Sequence, residues 1–169
     1  MREILFRGKQ RLAGGWCEGF PVKTGDHFRI STRNDMISFG VDLETVGQYT
    51  GLYDGTKLED LTDAEKLDFY HQHYIGEDGM SVRFQCIDDV KPLWRGKRIF
   101  EGDIVNGLFL FEKPVAGVVT FRDGSFGVKW MRGCVEEFNA FTSCCNVEWE
   151  VIGNGVDNPE LLEGGANDG

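Results

Sequence analysis

The sequence contains no long hydrophobic run. Its 169 residues include no continuous apolar stretch of about 18, the length needed to cross a bilayer as a helix. The first residues alternate charged and bulky side chains and lack the apolar core of a secretion signal. We therefore expect no membrane association and a cytoplasmic location.

Cysteine is present, but without the spacing that metal or disulfide chemistry needs. The number of cysteines is odd, no two of them form a C-x-x-C pair, and directly adjacent cysteines have poor geometry for a disulfide. Structural zinc sites use paired thiolates or a matching histidine spacing. We predict free, partly buried thiols and no metal site. The five residues concerned are Cys17, Cys86, Cys134, Cys144 and Cys145.

Lysine and arginine are missing from the last part of the chain. Residues 133–169 hold eight acidic side chains and no basic one, whereas residues 1–33 hold seven Lys or Arg and three acids. The net charge of the chain is −10. Because an acidic surface repels phosphate backbones, generic nucleic-acid binding is not expected. Two interpretations remain: a solvated acidic face, or a surface that imitates nucleic acid and occupies a basic partner.

Recognisable catalytic motifs are also absent. The sequence has no G-x-S-x-G nucleophile elbow, no G-x-x-x-x-G-K-[ST] phosphate loop and no H-E-x-x-H zinc motif. We therefore predict no catalytic residue, no cofactor and no metal ligand.

One stretch, GKRIFEGDIVNG at residues 96–107, places two carboxylates, Glu101 and Asp103, in front of a predicted strand. Gly102 suits a tight turn, and the Asp103 side chain is expected to accept a hydrogen bond from the backbone N–H two residues on. Acid/base or two-metal chemistry needs carboxylates that converge on one point, with further groups around them. We favour a structural turn, and the alternative is a metal-dependent enzyme that uses Glu101 and Asp103.

The sequence does contain a series of short β-patterns separated by turn residues. An apolar fraction of 41%, with 13 Phe, is enough for a buried core. The clearest pattern is a hairpin in residues 115–130, where Asp123-Gly124 favours a type I′ turn. That turn sets a register whose six opposed residues are predicted to share the core face. They are Gly117, Val119, Phe121, Phe126, Val128 and Trp130.

Two segments have helical patterns. Within residues 55–93, Thr62 and Glu65 form a capping box ahead of apolar residues at helical spacing, which predicts a helix from Asp63 to about Ile75. Near the end of the chain, an alternating strand at 147–152 is followed by Asn158-Pro159, which predicts a helical turn to Glu163. Residues 164–169 are predicted to be a disordered tail.

Several of these segments, taken in order, resemble the YopX family of phage and prophage proteins. The matching segments are MREILFRGK at the start, GGWCEG, QYTGLYD at 48–54, GKRIFEGDIV at 96–105, GVVTFRDGSFGVKW at 117–130 and WEVIGNGVDNPELLE at 149–163. In the family pattern the T-G-L-x-D segment runs almost directly into G-K-x-I-x-E-G-D, so residues 55–93 are interpreted as an insertion. The resemblance implies a β-rich, phage-associated protein of the bacterial host cytoplasm. The family has no established activity and offers no catalytic residues to carry over.

We therefore expect an α+β protein that is mainly antiparallel β. It has an N-terminal β-layer at 1–54, the helical insertion at 55–93, and a C-terminal SH3-like small barrel packed on the β-layer at 94–163. Structural turn roles are predicted for Gly102, Asp103, Asp123 and Gly124.

The expected function is that of an uncharacterised phage- or prophage-type accessory protein, non-enzymatic, which acts by protein binding or self-assembly. Unpaired edge strands favour a homo-oligomer, and a host or phage protein is the other expected partner. The alternatives are an acidic, nucleic-acid-mimicking inhibitor of a host DNA-binding protein and the metal-dependent enzyme. The residues predicted to make the interactions are Trp16, Tyr74, Trp94, Glu148 and Glu150.

Overall fold

The structure is a computed structural model that describes residues 4–25, 27–32, 37–73, 94–107, 115–132, 134–143 and 147–166. These residues form two antiparallel sheets and one α-helix. The six strands of the first sheet are β1 (Phe6–Lys9), β2 (Trp16–Thr24), β3 (His27–Ser31), β4 (Ser38–Gly40), β5 (Gly47–Tyr53) and β6 (Arg98–Phe100). The five strands of the second are β7 (Asp103–Gly107), β8 (Val115–Arg122), β9 (Ser125–Arg132), β10 (Val135–Ala140) and β11 (Trp149–Asn154). The helix is α1 (Asp63–His73).

The first sheet has the strand order β4-β3-β2-β1-β5-β6 and curls back on itself. Strand β2 is shared along its length, because its first half pairs with β1 and its second half with β3. At the end of β4, the Asp42 N–H donates to the Lys9 carbonyl at 2.9 Å, next to a bridge between Gln10 and Val41. The curl encloses a small core whose buried members are Cys17, Ile30 and Val41.

The second sheet has the order β10-β9-β8-β7-β11 and contains the predicted hairpin. Phe121 pairs with Phe126 and Val119 with Val128, as predicted. Asp123 and Gly124 have φ values of 52° and 85°, so both have the positive φ of a type I′ turn. The predicted core position of Phe121 is wrong: its side chain is 52% exposed, because the hairpin tip extends past the buried core. The Phe121 ring instead packs edge-on against Phe126, with 5.0 Å between ring centroids.

The closed SH3-like barrel is not confirmed. Among the described residues the five strands form an open sheet, with β10 at one edge and β11 at the other. Closure needs the two edges to pair, but the outer edge of β11 is bonded to the N-terminal half of the chain. There the Gly55 N–H donates to the Trp149 carbonyl at 3.0 Å. The prediction of a mainly antiparallel β protein is correct.

Strand β6 joins the two sheets through the alternation of its side chains. Ile99 is fully buried in the core of the second sheet, with Val105 and Val128. Phe100, the next residue, is fully buried in a separate cluster with Leu5 and Tyr49. Because successive strand residues point to opposite faces, this strand of three residues contributes side chains to two cores. The chain then turns at Glu101-Gly102 and enters β7.

Residues 55–73 form a small unit of their own. The capping box is confirmed: the Thr62 N–H donates to Glu65 at 2.8 Å, and the Glu65 N–H donates to the Thr62 hydroxyl at 3.3 Å. The helix α1 begins at the predicted residue, and its apolar side packs Phe69 against Trp94. Residues 74–93 lie outside the described part of the chain. The interpretation of 55–93 as an insertion stays a prediction.

The end of the described chain is a 3-10 helix, Pro159–Ala166, which lies against β8 and β9. It begins at the predicted proline and continues into the segment predicted to be a disordered tail. No described helix is long and apolar enough to cross a membrane.

Two thiols of the described residues are free, namely the buried Cys17 and the exposed Cys134. Burial raises the pKa of the Cys17 thiol to about 11, which keeps it protonated and unreactive near neutral pH. Cys86, Cys144 and Cys145 lie outside the described residues.

Two glycines at positive φ provide a test of how closely the segments pack. Gly96 has φ 102°, and a Cβ added there would lie 2.0 Å from the Asp54 carbonyl oxygen. Gly102 has φ 85°, and a Cβ there would meet nothing within 4 Å. We expect Gly102→Ala to cost about 1 kcal/mol of unfolding free energy from backbone strain, and Gly96→Ala to cost about 3 kcal/mol or more. Urea unfolding of the two variants measures this difference, and equal costs would contradict the close approach.

Candidate functional site

The two sheets meet through a layer of charged and aromatic side chains. In β1 and β2 the pairs Arg7–Glu18 and Lys9–Trp16 lie directly opposite one another. Because residues two apart in a strand point to the same side, these four side chains share one face. That face contacts Asp103 and the loop after β11. We call this set the junction; its residues are Arg7, Lys9, Trp16, Glu18, Arg98, Asp103 and Asp157.

Asp103 is the buried centre of the junction. Asp103 is 0% exposed, although it carries a carboxylate and lies at the start of a strand. One oxygen receives the Arg7 guanidinium at 2.5 Å, and the other accepts the Phe100 N–H at 2.7 Å. Burial raises the pKa of Asp103 above its ordinary value, against the lowering effect of Arg7 and the Phe100 N–H.

This geometry corrects the predicted turn. The Asp103 side chain accepts from the N–H three residues before it, not two residues after it. This hydrogen bond spans the Glu101-Gly102 turn and holds the end of β6 against the start of β7. The predicted structural role of Asp103 agrees with these contacts, and Gly102 has the positive φ of 85° that the turn requires.

Arg7 lies between two aromatic rings. The centre of its guanidinium is 4.7 Å from the Trp16 ring centroid and 4.9 Å from that of Phe100. A guanidinium stacks well on aromatic faces, and the rings exclude water from the ion pair with Asp103. Within the described residues the Arg7 Nε is buried without a hydrogen-bond partner, so the Asp103 carboxylate is the main polar contact of this cation.

A second contact of the junction comes from the loop after β11. Asp157 accepts hydrogen bonds from the Lys9 ammonium at 2.5 Å and from the Trp16 Nε1–H at 2.7 Å. The Asn154 side-chain oxygen accepts the backbone N–H groups of Val156 and Asp157, which fixes the loop. Arg98 and Glu18 add an ion pair at 3.0 Å on the same side.

Asp54 forms a comparable buried site between the end of β5 and β11. It is 6% exposed and accepts four hydrogen bonds. One oxygen accepts the N–H groups of Lys97 and Thr56, at 2.7 and 3.0 Å. The other accepts the Thr56 hydroxyl at 2.7 Å and the Val151 N–H at 3.1 Å. At the edge of β11, the Asp54 carboxylate therefore takes the place of the carbonyl acceptor that a neighbouring strand would supply.

The predicted interaction residues lie in different places. Trp16 is half-buried in the junction. Trp94 is half-buried against Phe69, with 4.9 Å between ring centroids, and its Nε1–H donates to the Thr56 carbonyl at 2.9 Å. Glu148 and Glu150 are exposed. Tyr74 lies outside the described residues, and the role of all five in binding stays a prediction.

The structure does not bring Glu101 and Asp103 together as a pair. Glu101 is half-buried in the turn, while both oxygens of Asp103 are occupied by Arg7 and the Phe100 N–H. In the described part of the chain no group of three or more His, Cys, Asp or Glu is arranged to hold a metal ion. The arrangement at this site suits mechanical joining of strands.

Residues 94–163 match the family model described as YopX protein. The chain carries a YopX domain. This domain contains β6, the whole second sheet and the start of the 3-10 helix, so Asp103 lies inside it and Arg7 outside it. Membership of the YopX family rests on this region, and the resemblance of residues 1–54 to the family stays a prediction. No curated protein and no solved structure matches the chain.

Sequence reasoning missed three residues that hold the two sheets together. Arg7, Asp54 and Asp157 were not singled out, because each acts on a segment far away in sequence. A weak signal was available for Asp54, since an Asp followed by Gly at the end of a strand is often a side-chain acceptor. Arg7 and Asp157 carried no comparable local signal.

Removal of the Asp103 charge tests the junction. Asp103→Asn leaves Arg7 buried without its counter-charge, and we expect the unfolding free energy to fall by about 3 kcal/mol or more. The matched control is Asp123→Asn, because that carboxylate is exposed in a turn that asparagine also favours. We expect the control to change stability by less than about 0.5 kcal/mol. Urea unfolding of both variants decides the matter, and wild-type stability of Asp103→Asn would refute the buried ion pair.

The contact at Asp157 makes a pH-dependent contribution. Hydrogen bonds from Lys9, Trp16 and Asn154 lower the pKa of Asp157 to about 2, whereas an unfolded aspartate titrates near ~3.9. The contribution is therefore complete above about pH 4 and is lost as the pH falls towards 2. We expect Asp157→Asn to be less stable than wild type by up to about 1 kcal/mol at pH 6, with the difference shrinking at pH 2.5. Urea titrations at both pH values measure it, and a difference independent of pH would exclude this linkage.

Proposed function

We propose that the protein is a non-enzymatic, phage- or prophage-type accessory protein that acts in the bacterial cytoplasm by binding proteins or by self-assembly. Two findings support this proposal. The chain carries a YopX domain, and the resemblance of its segments to that family implies phage association. Asp103 is the carboxylate that most suggests catalysis, and its contacts hold the fold together.

The burial of Asp103 is the observation that carries the proposal. General acid/base catalysis needs a carboxyl group within hydrogen-bond reach of a substrate, and metal catalysis needs oxygen lone pairs open to the ion. Asp103 is 0% exposed, and each of its oxygens has a partner within the chain. The alternative of an enzyme that uses Glu101 and Asp103 is therefore left with Glu101 alone.

Binding through surfaces is supported by the strand edges. The outer half of β2, Phe20–Thr24, pairs with β3 on one side only, and Phe20 and Val22 are 39% and 37% exposed. Pro21 removes a backbone donor from that edge, and Lys23 adds a charge, two features that discourage pairing with another strand. Strand β10 contains no proline, and its two glutamates, Glu136 and Glu137, pair with basic residues of β8 and β9. The half-exposed rims of Trp16 and Trp94 are further contact points in this proposal.

A second candidate function is favoured by two exposed acids at the start of β11. Glu148 and Glu150 are exposed and have no basic partner among the described residues. They are two positions apart and flank the buried Trp149, the first residue of β11. Two other acids of this region are neutralised, since Glu136 pairs with Lys129 at 3.4 Å and Glu137 with Arg132 at 3.7 Å. An acidic inhibitor of a host DNA-binding protein would use Glu148 and Glu150.

Affinity capture from nuclease-treated host lysate tests both functions. The tagged wild-type protein is expected to retain one stoichiometric protein partner or additional copies of itself, and mass spectrometry of the eluate identifies which. A basic, DNA-binding partner supports mimicry, in which case Glu148→Lys/Glu150→Lys releases it and DNA competes with it.

The matched control for charge reversal is Asp42→Lys/Glu44→Lys, an exposed acidic pair of the same spacing in the connection between β4 and β5. Release by both double variants alike would point to net charge and not to a specific site. Recovery of no partner, together with a monomeric protein, would contradict the proposed function.

A further inference from the structure

The two edges of the second sheet differ in whether the rest of the described chain forms hydrogen bonds with them. The outer edge of β11 is covered, because it receives the Gly55 N–H at the Trp149 carbonyl and donates the Val151 N–H to Asp54. At the outer edge of β10, no described residue makes a hydrogen bond. A six-residue strand with one unpaired edge is a template for another strand.

We propose that β10 pairs with β10 of a second copy of this chain, which joins two YopX domains into one continuous sheet. The inference deepens the proposed function and rests on its self-assembly branch. Three features of the described residues carry it: the open edge, the local charge and the side-chain register.

The charge of β8–β10 permits two copies to meet there. The chain as a whole has a net charge of −10, so most of its surface repels a second copy. Residues 115–140 carry three basic and three acidic side chains and are neutral as a group. The basic residues are Arg122, Lys129 and Arg132, and the acidic ones are Asp123, Glu136 and Glu137.

The carboxylates of β10 are also neutralised individually. Glu136 lies 3.6 Å from Arg122 and 3.4 Å from Lys129, and Glu137 lies 3.7 Å from Arg132. These ion pairs are exposed and contribute little stability, but they remove the unpaired charge that protects many natural edge strands.

The side chains of β10 select one register. When two antiparallel strands are related by a two-fold axis, directly opposed residues share a face, so residues of equal parity meet. An axis at Glu136 or at Glu137 would place that glutamate opposite its own copy, which is unfavourable. An axis at Phe138 places the two Phe138 rings opposite each other, Glu137 opposite Asn139, and Glu136 opposite Ala140. Centres at Glu137 and Phe138 are the two that pair five residues of β10, and of these two only the centre at Phe138 opposes no like charges.

The structure around Phe138 suits this arrangement. Its ring lies over Gly127 of β9, where an added Cβ would be 2.7 Å from the ring. The Arg122 guanidinium stands 5.8 Å from the ring centroid. The ring is therefore held inward over its own sheet, and the backbone of β10 is left accessible at the edge.

The test is the oligomeric state of wild type and of two variants at one position. Sedimentation velocity under reducing conditions, over a range of protein concentrations, is expected to show a wild-type dimer. Asn139→Asp is nearly isosteric and places a carboxylate opposite Glu137 twice per dimer, so we expect the dimer Kd to rise about tenfold. Asn139→Lys places an ammonium there, and we expect the Kd to fall by a similar factor.

The control is Ser143→Asp, which adds the same charge at an exposed position just beyond β10 and is expected to leave the Kd unchanged. Thermal unfolding by circular dichroism identifies any variant that fails to fold. If Asn139→Asp does not fold, the tightening by Asn139→Lys still tests the register.

Each outcome separates this inference from the proposed function. A dimer whose Kd is the same in all variants overturns pairing through β10 but leaves self-assembly intact. A monomer that captures a host protein overturns the inference and leaves protein binding intact. A monomer that captures nothing overturns both.

Discussion

The ion pair between Arg7 and Asp103 is the contact on which the relation of the two sheets depends. It joins a strand at the start of the chain to β7 of the YopX domain, with the Asp103 side chain 1% exposed and the Arg7 side chain 15% exposed. A buried charge is costly unless it is paired and hydrogen-bonded, so each partner requires the other. The rings of Trp16 and Phe100 enclose the pair, and the Phe100 N–H uses the remaining carboxylate oxygen.

Asp54 applies the same physics at a second position. A carboxylate accepts several hydrogen bonds and donates none, which suits it to a point where several backbone N–H groups meet without carbonyl partners. At Asp54 these N–H groups belong to three separate segments, around Thr56, Lys97 and Val151. Both buried aspartates thus accept backbone N–H groups that lack a carbonyl partner, at the places where the chain passes between the two sheets. This explains why a chain rich in acidic residues can hold two of them inside the fold.

Local rules predicted the elements that depend on neighbours in sequence. The Asp123-Gly124 turn set the hairpin register, and Thr62 with Glu65 set the start of the helix, because both signals act within four residues. Prediction failed where distant segments decide. The SH3-like barrel is not confirmed, because Asp54, almost 100 residues before β11, occupies the edge that closure needs. The exposure of Phe121 depends on how far the core extends along the hairpin, which alternation alone does not indicate. The role of Asp103 as part of the fold was predicted, but its partner was not, since Arg7 is 96 residues away.

The position of Arg7 also affects whether residues 94–163 can be regarded as a separate domain. Residues 94–163 are recognised as a unit by sequence, yet the counter-charge of Asp103 and the cover of the β11 edge both come from residues 1–55. Excised alone, this region would contain a buried carboxylate without its cation and a strand edge open to solvent. We therefore do not expect the family unit to fold autonomously in this chain. Its sequence neighbours act as an intramolecular scaffold, because they supply both the cation for its buried carboxylate and the cover for its open strand edge.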